Sequence, residues 1–478
     1  VRWLILSHRY LGIGIGWLLL AWCLSGFVML YVAYPELTED EYTRALPTLD
    51  LGECCRLTLP GGADAGDGVS DFTLRTMLGA PVLTVFDAFG RRSVIDLHTG
   101  AVLSGIGPDA ARRIAEELSP PGETRARVRP LGAVDRDQWT VAGGFRGDRR
   151  LYRFALGDAA GTQWYVSSTT GALVQDTNRV ERVWGRFGSV VHWIYPTLLR
   201  QRPALWSQVV IWAAVAGTFL TVFGLIIGIA RYGRGARGRG SPYRGVKQWH
   251  HWLGLVFGLL TLTWVGSGLL SMNPWGLLEG EGAGLEAARL RGDTSMTWSD
   301  VERWLDGLAA ADLPAATTWI ETAPLGGSVY LVAHDRDGTK TRLAADGSRA
   351  APLSEAALHE AAVRMLDGPT IVAAGLMEHD DAYYFSHHAA RPLPVYRVIA
   401  GDAGRTRYYL DAATGQLLAK ADRGRQWYRW LFEGVHRLDF AAPLRSRPFW
   451  DSIMLLLLVG VTGVCATGAY MGIKSLLR

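Results

Sequence analysis

Four histidines in this chain are spaced as one kind of chemistry requires. His8 opens the motif His8-Arg9-Tyr10-Leu11-Gly12 ahead of an apolar run. His250 opens His250-His251-Trp252-Leu253-Gly254 ahead of another, 242 residues later. His192 and His436 are 244 residues apart, and each lies 14 residues before a tryptophan, Trp206 or Trp450, that opens a further apolar run. Neutral imidazole offers a nitrogen lone pair, so two such rings on opposite sides of one iron make the axial pair of a haem. His8 with His250, and His192 with His436, are therefore candidate ligand pairs for two bis-histidine b haems. His251 competes with His250, because one residue turns a helix by about 100°. Aligning the two halves sets His251 against Arg9, which favours His250 and leaves the choice open.

These pairs belong to a longer repeat. The offset of 242 runs through Gly16/Gly258, Trp22/Trp264, Ser25/Ser267 and Gly26/Gly268. It becomes 244 through Asp137/Asp381, Tyr152/Tyr396, Arg153/Arg397, Thr170/Thr414 and Gly171/Gly415. A repeat this long is a duplicated domain. Four charge-free runs, Leu11–Tyr34, Ser207–Ala230, Trp252–Met272 and Ser452–Ile473, each reach the roughly 20 residues that a helix needs to cross a bilayer. The first is too long for a signal-peptide core and no small-residue cleavage site follows it, so it reads as a retained span. The expected fold is a membrane α-helical protein, four spans in pseudo-twofold duplication, with two extracytoplasmic α+β domains. The expected segments are a first span within 1–34, a first outer domain 35–206, a second span 207–230 and a basic loop 231–249. A third span 250–272, a second outer domain 273–449, a fourth span 450–473 and a tail 474–478 follow.

Orientation comes from the loop. Arg231, Arg234, Arg237, Arg239, Arg244 and Lys247 occur there without an acidic residue. The positive-inside rule makes this loop and both termini cytoplasmic and both large segments external. Wedged between two spans, the loop is not a nucleic-acid patch. The net charge of +4 mostly reflects it and implies no acidic partner.

Other residues have more than one reading. Arg200 and Arg202 precede Pro203, and Arg445 and Arg447 precede Pro448; these arginines suit haem propionates as bidentate donors, or lipid headgroups. Trp22 and Trp264 either lie between two haems or fill a helix interface. Gly12/Gly16 and Gly254/Gly258 form G-x-x-x-G pairs, which allow close helix or macrocycle approach. Met272 aligns with Leu30 and is not taken as a ligand. His387 and His388 align with Gly143 and Gly144, an asymmetry expected of a single surface site for metal or substrate, with Glu378, His379, Asp380 and Asp381 nearby. His98, His334 and His359 read as turn or surface residues. Four cysteines make no disulfide scaffold. Cys23 and Cys465 read as apolar packers within spans, and the adjacent Cys54 and Cys55 as inert.

The outer segments alternate short strands with turn signatures: Asp96–Gly100, Thr169–Gly171, Ala345–Gly347 and Asp411–Gly415. Helical periodicity marks Pro108–Leu118 and Leu353–Leu366. The strand pairs Tyr152–Val174 and Tyr396–Leu418 resemble PepSY domains. The two histidine-led openings, Ser267–Trp275 and Asp380–Tyr384 are similar to PepSY-associated transmembrane proteins, and the likeness covers nearly the whole chain. It implies a multi-pass protein of the bacterial inner membrane with periplasmic domains. Some relatives are haem proteins that reduce ferric siderophores, and others are fused to cytosolic flavoprotein reductases. Here the last span lies close to the final residue, so the expected electron donor is a separate cytosolic reductase, a reduced flavin or a quinol. The expected acceptor is a ferric siderophore or another periplasmic iron complex; cupric ion, a quinone or a periplasmic protein are alternatives. PepSY domains are also linked to peptidase inhibition, which keeps open a membrane-anchored module that binds peptide, protease or metal without redox activity.

Several motifs are absent. No G-x-G-x-x-G follows a strand, and there is no Walker A, C-x-x-C-H or H-E-x-x-H. Any haem is therefore noncovalent. With no charged residue at mid-span, an ion pathway is not expected.

Overall fold

The computed structural model describes residues 2–477 apart from 53, 122–126, 235–239, 295, 312, 345 and 388–390. Four of its helices, Arg2–Met29, Pro203–Arg231, Val246–Ser271 and Phe449–Leu476, are long and apolar enough to cross a membrane. The first and third spans each pack against both the second and the fourth. The first span begins and ends earlier than its charge-free run. Arg9 is accommodated because its guanidinium donates to the Ser475 hydroxyl of the fourth span (2.7 Å). Beyond Met29 the chain leaves the helix, and Tyr34 joins the rings of Trp139, Trp193 and Tyr195 while its hydroxyl donates to the Gln138 carbonyl. Hydropathy alone does not distinguish that apolar aromatic cluster from a continuing span.

Among the described residues the strands form three sheets. Strands β1 (Gly68–Met77), β2 (Ala80–Asp87) and β3 (Arg92–Asp96) come from the first half. β4 (Arg129–Val134), β5 (Leu151–Ala155), β6 (Gln163–Ser167) and β7 (Leu173–Thr177) form an antiparallel meander. In the second half, β8 (Met296–Thr297), β9 (Thr317–Leu325), β10 (Ser328–Asp335) and β11 (Lys340–Leu343) precede a second meander. That meander is β12 (Ile371–Met377), β13 (Val395–Ala400), β14 (Arg407–Asp411) and β15 (Leu417–Ala421). The remaining strands form one sheet across both halves, ordered β11-β10-β9-β1-β2-β3, with β8 on the start of β1. Its centre is the antiparallel pair β1/β9, where Leu74 faces Ile320. Trp298, Val301, Leu305 and Leu308 of the helix Trp298–Ala310 cover it and form one core with Phe72, Leu83, Ile95 and Leu331.

The duplication is visible in the register. Tyr152 opposes Val166 in the first meander, and Tyr396 opposes Leu410 in the second. Asp137 accepts from the Tyr165 hydroxyl and pairs with Arg153; Asp381 does the same with Tyr409 and Arg397. Asp381 therefore locks a fold element and is not a metal ligand. Gly171 and Gly415 close equivalent turns at φ of 67° and 77°, where a side chain would be strained. The helix expected at Pro108–Leu118 is present, and the one expected at Leu353–Leu366 runs Glu355–Leu366 behind the capping Ser354. Of the Ala345–Gly347 turn, Ala345 lies outside the described residues, as do Arg237 and Arg239 of the basic loop.

Candidate functional site

The first and third spans carry His8 and His250 near their basic-loop ends. The two imidazoles face one another with ring centres 6.3 Å apart. His8 Nδ1 lies 2.9 Å from the Leu220 carbonyl of the second span. His250 Nδ1 lies 3.2 Å from the Val464 carbonyl and 3.0 Å from the Thr467 hydroxyl of the fourth. Leu220 and Val464 are themselves 244 residues apart, so the repeat preserves the carbonyls as well as the histidines. Glycine makes the room: a Cβ on Gly224 would lie 2.7 Å from His8 Cε1, and one on Gly468 would lie 3.1 Å from His250 Cε1. His251 does not face His8. It is buried against the end of the second span, with Nε2 at 2.8 Å from the Gly228 carbonyl and Nδ1 at 2.8 Å from the Ser241 hydroxyl.

At the sheet end, each histidine follows a short capped helix. Asn178 and Glu181 form a capping box on Arg179–Gly185, which widens into a π turn over Arg186–Val190 before His192. Asp422 caps Arg423–Tyr428, which widens over Arg429–Gly434 before His436. Such single π turns re-aim the residues that follow. The rings of His192 and His436 are 6.1 Å apart. His192 Nδ1 lies 3.0 Å from the Ser25 hydroxyl and 3.2 Å from the Trp22 carbonyl; His436 Nδ1 lies 3.0 Å from the Ser267 hydroxyl. Burial above all pushes the His192 imidazole down to about 4 and that of His436 to about 3, so both are neutral at ordinary pH.

In all four rings the hydrogen bonds fall on Nδ1. That pattern keeps the proton there and leaves the Nε2 lone pair for a ligand-bound metal. Imidazole–metal bonds are about 2 Å, as at zinc; two of them plus the two half-rings match separations of this size. His192 and His436 line a cavity of about 500 Å³ between the spans. Trp22 and Trp264 line it too, and their indole N–H groups are buried without hydrogen-bond partners. At the sheet end the donor set, the neutral rings, the cavity and the two orphaned donors together fit a planar iron macrocycle. His8 to Ser25, and His250 to Ser267, is 17 residues of helix, so the two pairs lie roughly 25 Å apart.

Several expected residues are not among those that line the cavity. Arg200 stacks on Tyr195 and Trp206. Arg447 donates to the Leu30 carbonyl and pairs with Asp451, and Arg445 approaches the Asp439 carbonyl. Arg202 is exposed just before the second span. The arginine among the cavity-lining residues is Arg437, which sequence reasoning missed although it follows His436 directly. His387 is not a surface ligand. Its buried ring stacks on Trp450 at 4.1 Å, with Nε2 3.2 Å from Asp439 Oδ2 at a poor hydrogen-bond angle, and it lines the same cavity. His388 lies outside the described residues. Among the described residues no cluster of three or more His, Cys, Asp or Glu side chains could hold a metal ion, so the acidic neighbours Glu378 to Asp381 make no such site. His334 is buried rather than superficial, between Glu321 and Glu39. Cys54 and Cys55, read as inert, are joined to each other as a disulfide.

No protein-family model matches the chain, and no curated protein matches it.

Proposed function

We propose that this membrane protein is a di-haem b oxidoreductase that moves electrons from its basic-loop end to its sheet end. The carrying observation is that two histidine pairs, related by the duplication, each set their rings about 6 Å apart while Nδ1 of every ring is held in place. Haem iron bound at both pairs supplies one-electron redox chemistry. The chain's own residues set the conditions for it. Ser25 and Ser267 fix the rings at the sheet end, and carbonyls of the second and fourth spans fix those at the loop end. Burial excludes water and keeps the His192 and His436 imidazoles neutral.

By the positive-inside rule the loop end is cytoplasmic, and the resemblance to PepSY-associated transmembrane proteins implies a bacterial inner membrane. The donor is then a cytosolic reductase, a reduced flavin or a quinol. The resemblance to PepSY-associated transmembrane proteins makes the acceptor a periplasmic ferric complex, with a siderophore as the first candidate. One electron converts its iron to the ferrous state, which hard oxygen ligands hold less tightly.

The test is a dithionite-reduced minus oxidised absorption spectrum of detergent-purified protein, with haem counted per chain. About two b-type haems are expected, and His436→Ala should retain only the loop-end one. Haem-free protein after expression with ample haem would overturn the proposal.

A further inference from the structure

The first and fourth spans bring together two cysteines that are far apart in the sequence and have no partners in the repeat. Cys23 and Cys465 lie with their sulfurs 3.7 Å apart, both as free thiols. The positions that the offsets set against them are Val265 and Thr221, so this is a feature of one side of the molecule only. The helices that carry them touch closely elsewhere. A Cβ on Gly26 would meet Leu458 at 3.4 Å, and one on Gly472 would meet the Gly12 carbonyl at 3.4 Å. A disulfide needs sulfurs about 2.05 Å apart, so from 3.7 Å the two must close by a little under 2 Å. Both cysteines line the cavity that holds His192 and His436.

Their sequence neighbours matter more. Cys23 follows Trp22, whose carbonyl holds His192 Nδ1. Cys465 follows Val464, whose carbonyl holds His250 Nδ1. One sulfur is therefore a single residue from an anchor of the sheet-end pair, and the other a single residue from an anchor of the loop-end pair.

We infer that Cys23 and Cys465 form a reversible dithiol/disulfide site that crosslinks the first and fourth spans. Both lie inside membrane-spanning helices, so the oxidant must be lipid-soluble, and the quinone class fits. Two S–H bonds break and one S–S bond forms; the two protons and two electrons pass to the quinone, giving the quinol. The crosslink stands without the haem reading. Its effect on the histidine pairs rests on that reading.

The test uses the full chain in detergent with a specific protease site inserted in the basic loop at 235–239. Cleavage there leaves Cys23, Cys54 and Cys55 on one half and Cys465 on the other, so only a bond to Cys465 links the halves. After a short-chain ubiquinone analogue, the expected result is one linked species on a non-reducing gel. N-ethylmaleimide adducts on the denatured chain should fall from two to none. Dithiothreitol should separate the halves and raise the count to four adducts, because it also opens the Cys54–Cys55 disulfide, and Cys23→Ala or Cys465→Ser should abolish the link. Halves that separate with two adducts after the quinone, or a link that survives in Cys23→Ala, would overturn the inference. If a variant fails to fold, the wild-type adduct count decides it. In haem-loaded protein the crosslink should shift the reduced-minus-oxidised spectrum. An unchanged spectrum in a crosslinked sample would remove the coupling and leave the site.

Discussion

Ser25 and Ser267 each place a hydroxyl 3.0 Å from the Nδ1 of a buried histidine, and their positions are tied by the repeat as firmly as the histidines themselves. Their hydroxyls also bond back to the Trp22 and Trp264 carbonyls one helical turn earlier. A serine in this position selects one rotation of the ring and one tautomer. Losing such a partner costs about 10–100-fold in affinity for the group that the histidine binds. Ser267→Ala is therefore expected to weaken haem binding at the sheet-end pair by about that factor and to leave the loop-end pair unaffected. Haem titration of haem-depleted protein, on a His8→Ala background that isolates the sheet-end pair, reads the change. Ser267→Thr, which keeps the hydroxyl, should restore most of it. An unchanged affinity in Ser267→Ala would mean that the Trp264 carbonyl alone orients His436.

At the scale of elements, the even-numbered spans prove as particular as the histidine-bearing ones. The G-x-x-x-G pairs draw attention to the first and third spans, yet Gly16 and Gly254 have open space where a Cβ would stand, and Gly12 has only ordinary contact. Of the four, Gly258 alone is tightly met, by Leu225 at 2.7 Å. The demanding glycines face the rings from the second and fourth spans. Gly224→Ala, with its methyl 2.7 Å from His8, should displace that imidazole and cost about 1–3 kcal/mol as overpacking. Gly468→Ala, at 3.1 Å from His250, should do less, and Gly254→Ala should change nothing. Thermal unfolding together with haem per chain would order these three variants; equal behaviour would refute the cradle. The sequence shows why this was half legible. Histidines and spans stand out because their chemistry is rare and their runs are long. Gly224 and Gly468 also keep the offset of 244, but a glycine in a span is common, and only the neighbouring ring makes it necessary. The facing of His250 rather than His251 likewise depended on helix rotation. His251 is occupied by Gly228 and Ser241, partners that no local pattern announces.

At the scale of the whole molecule, the two halves are joined outside the spans as well as within them. The alternating strands of each outer segment predict sheet, but which strands pair across 250 residues is set by tertiary packing, so the shared β1/β9 sheet was not legible. Its surface carries a clasp between the halves. His334 of β10, stacked on Trp319 at 3.7 Å, has Nε2 3.0 Å from Glu321 and Nδ1 3.5 Å from Glu39 of the first half. Lys340 bridges from Glu39 to Asp411 beside it. Burial opposes a charge on His334, but Glu321 and Glu39 outweigh it and raise its pKa above the ordinary value. The hydrogen bond from His334 leads in holding Glu39 down to about 2. The signs differ. A raised histidine contributes stability that is complete below its unfolded pKa of about 6.5 and is lost as pH rises through the folded value. A lowered glutamate contributes stability that is present above about 4.5 and is lost as pH falls toward its folded value. The clasp is therefore strongest between these limits, in mildly acid solution. Melting temperature in detergent should fall as pH rises from about 6 to 8, and His334→Gln should flatten that fall while lowering stability at the acid end. Glu39→Gln should weaken the same dependence without touching β10. If wild type and His334→Gln show parallel profiles across that range, the ring does not carry the charge that this arrangement of carboxylates calls for.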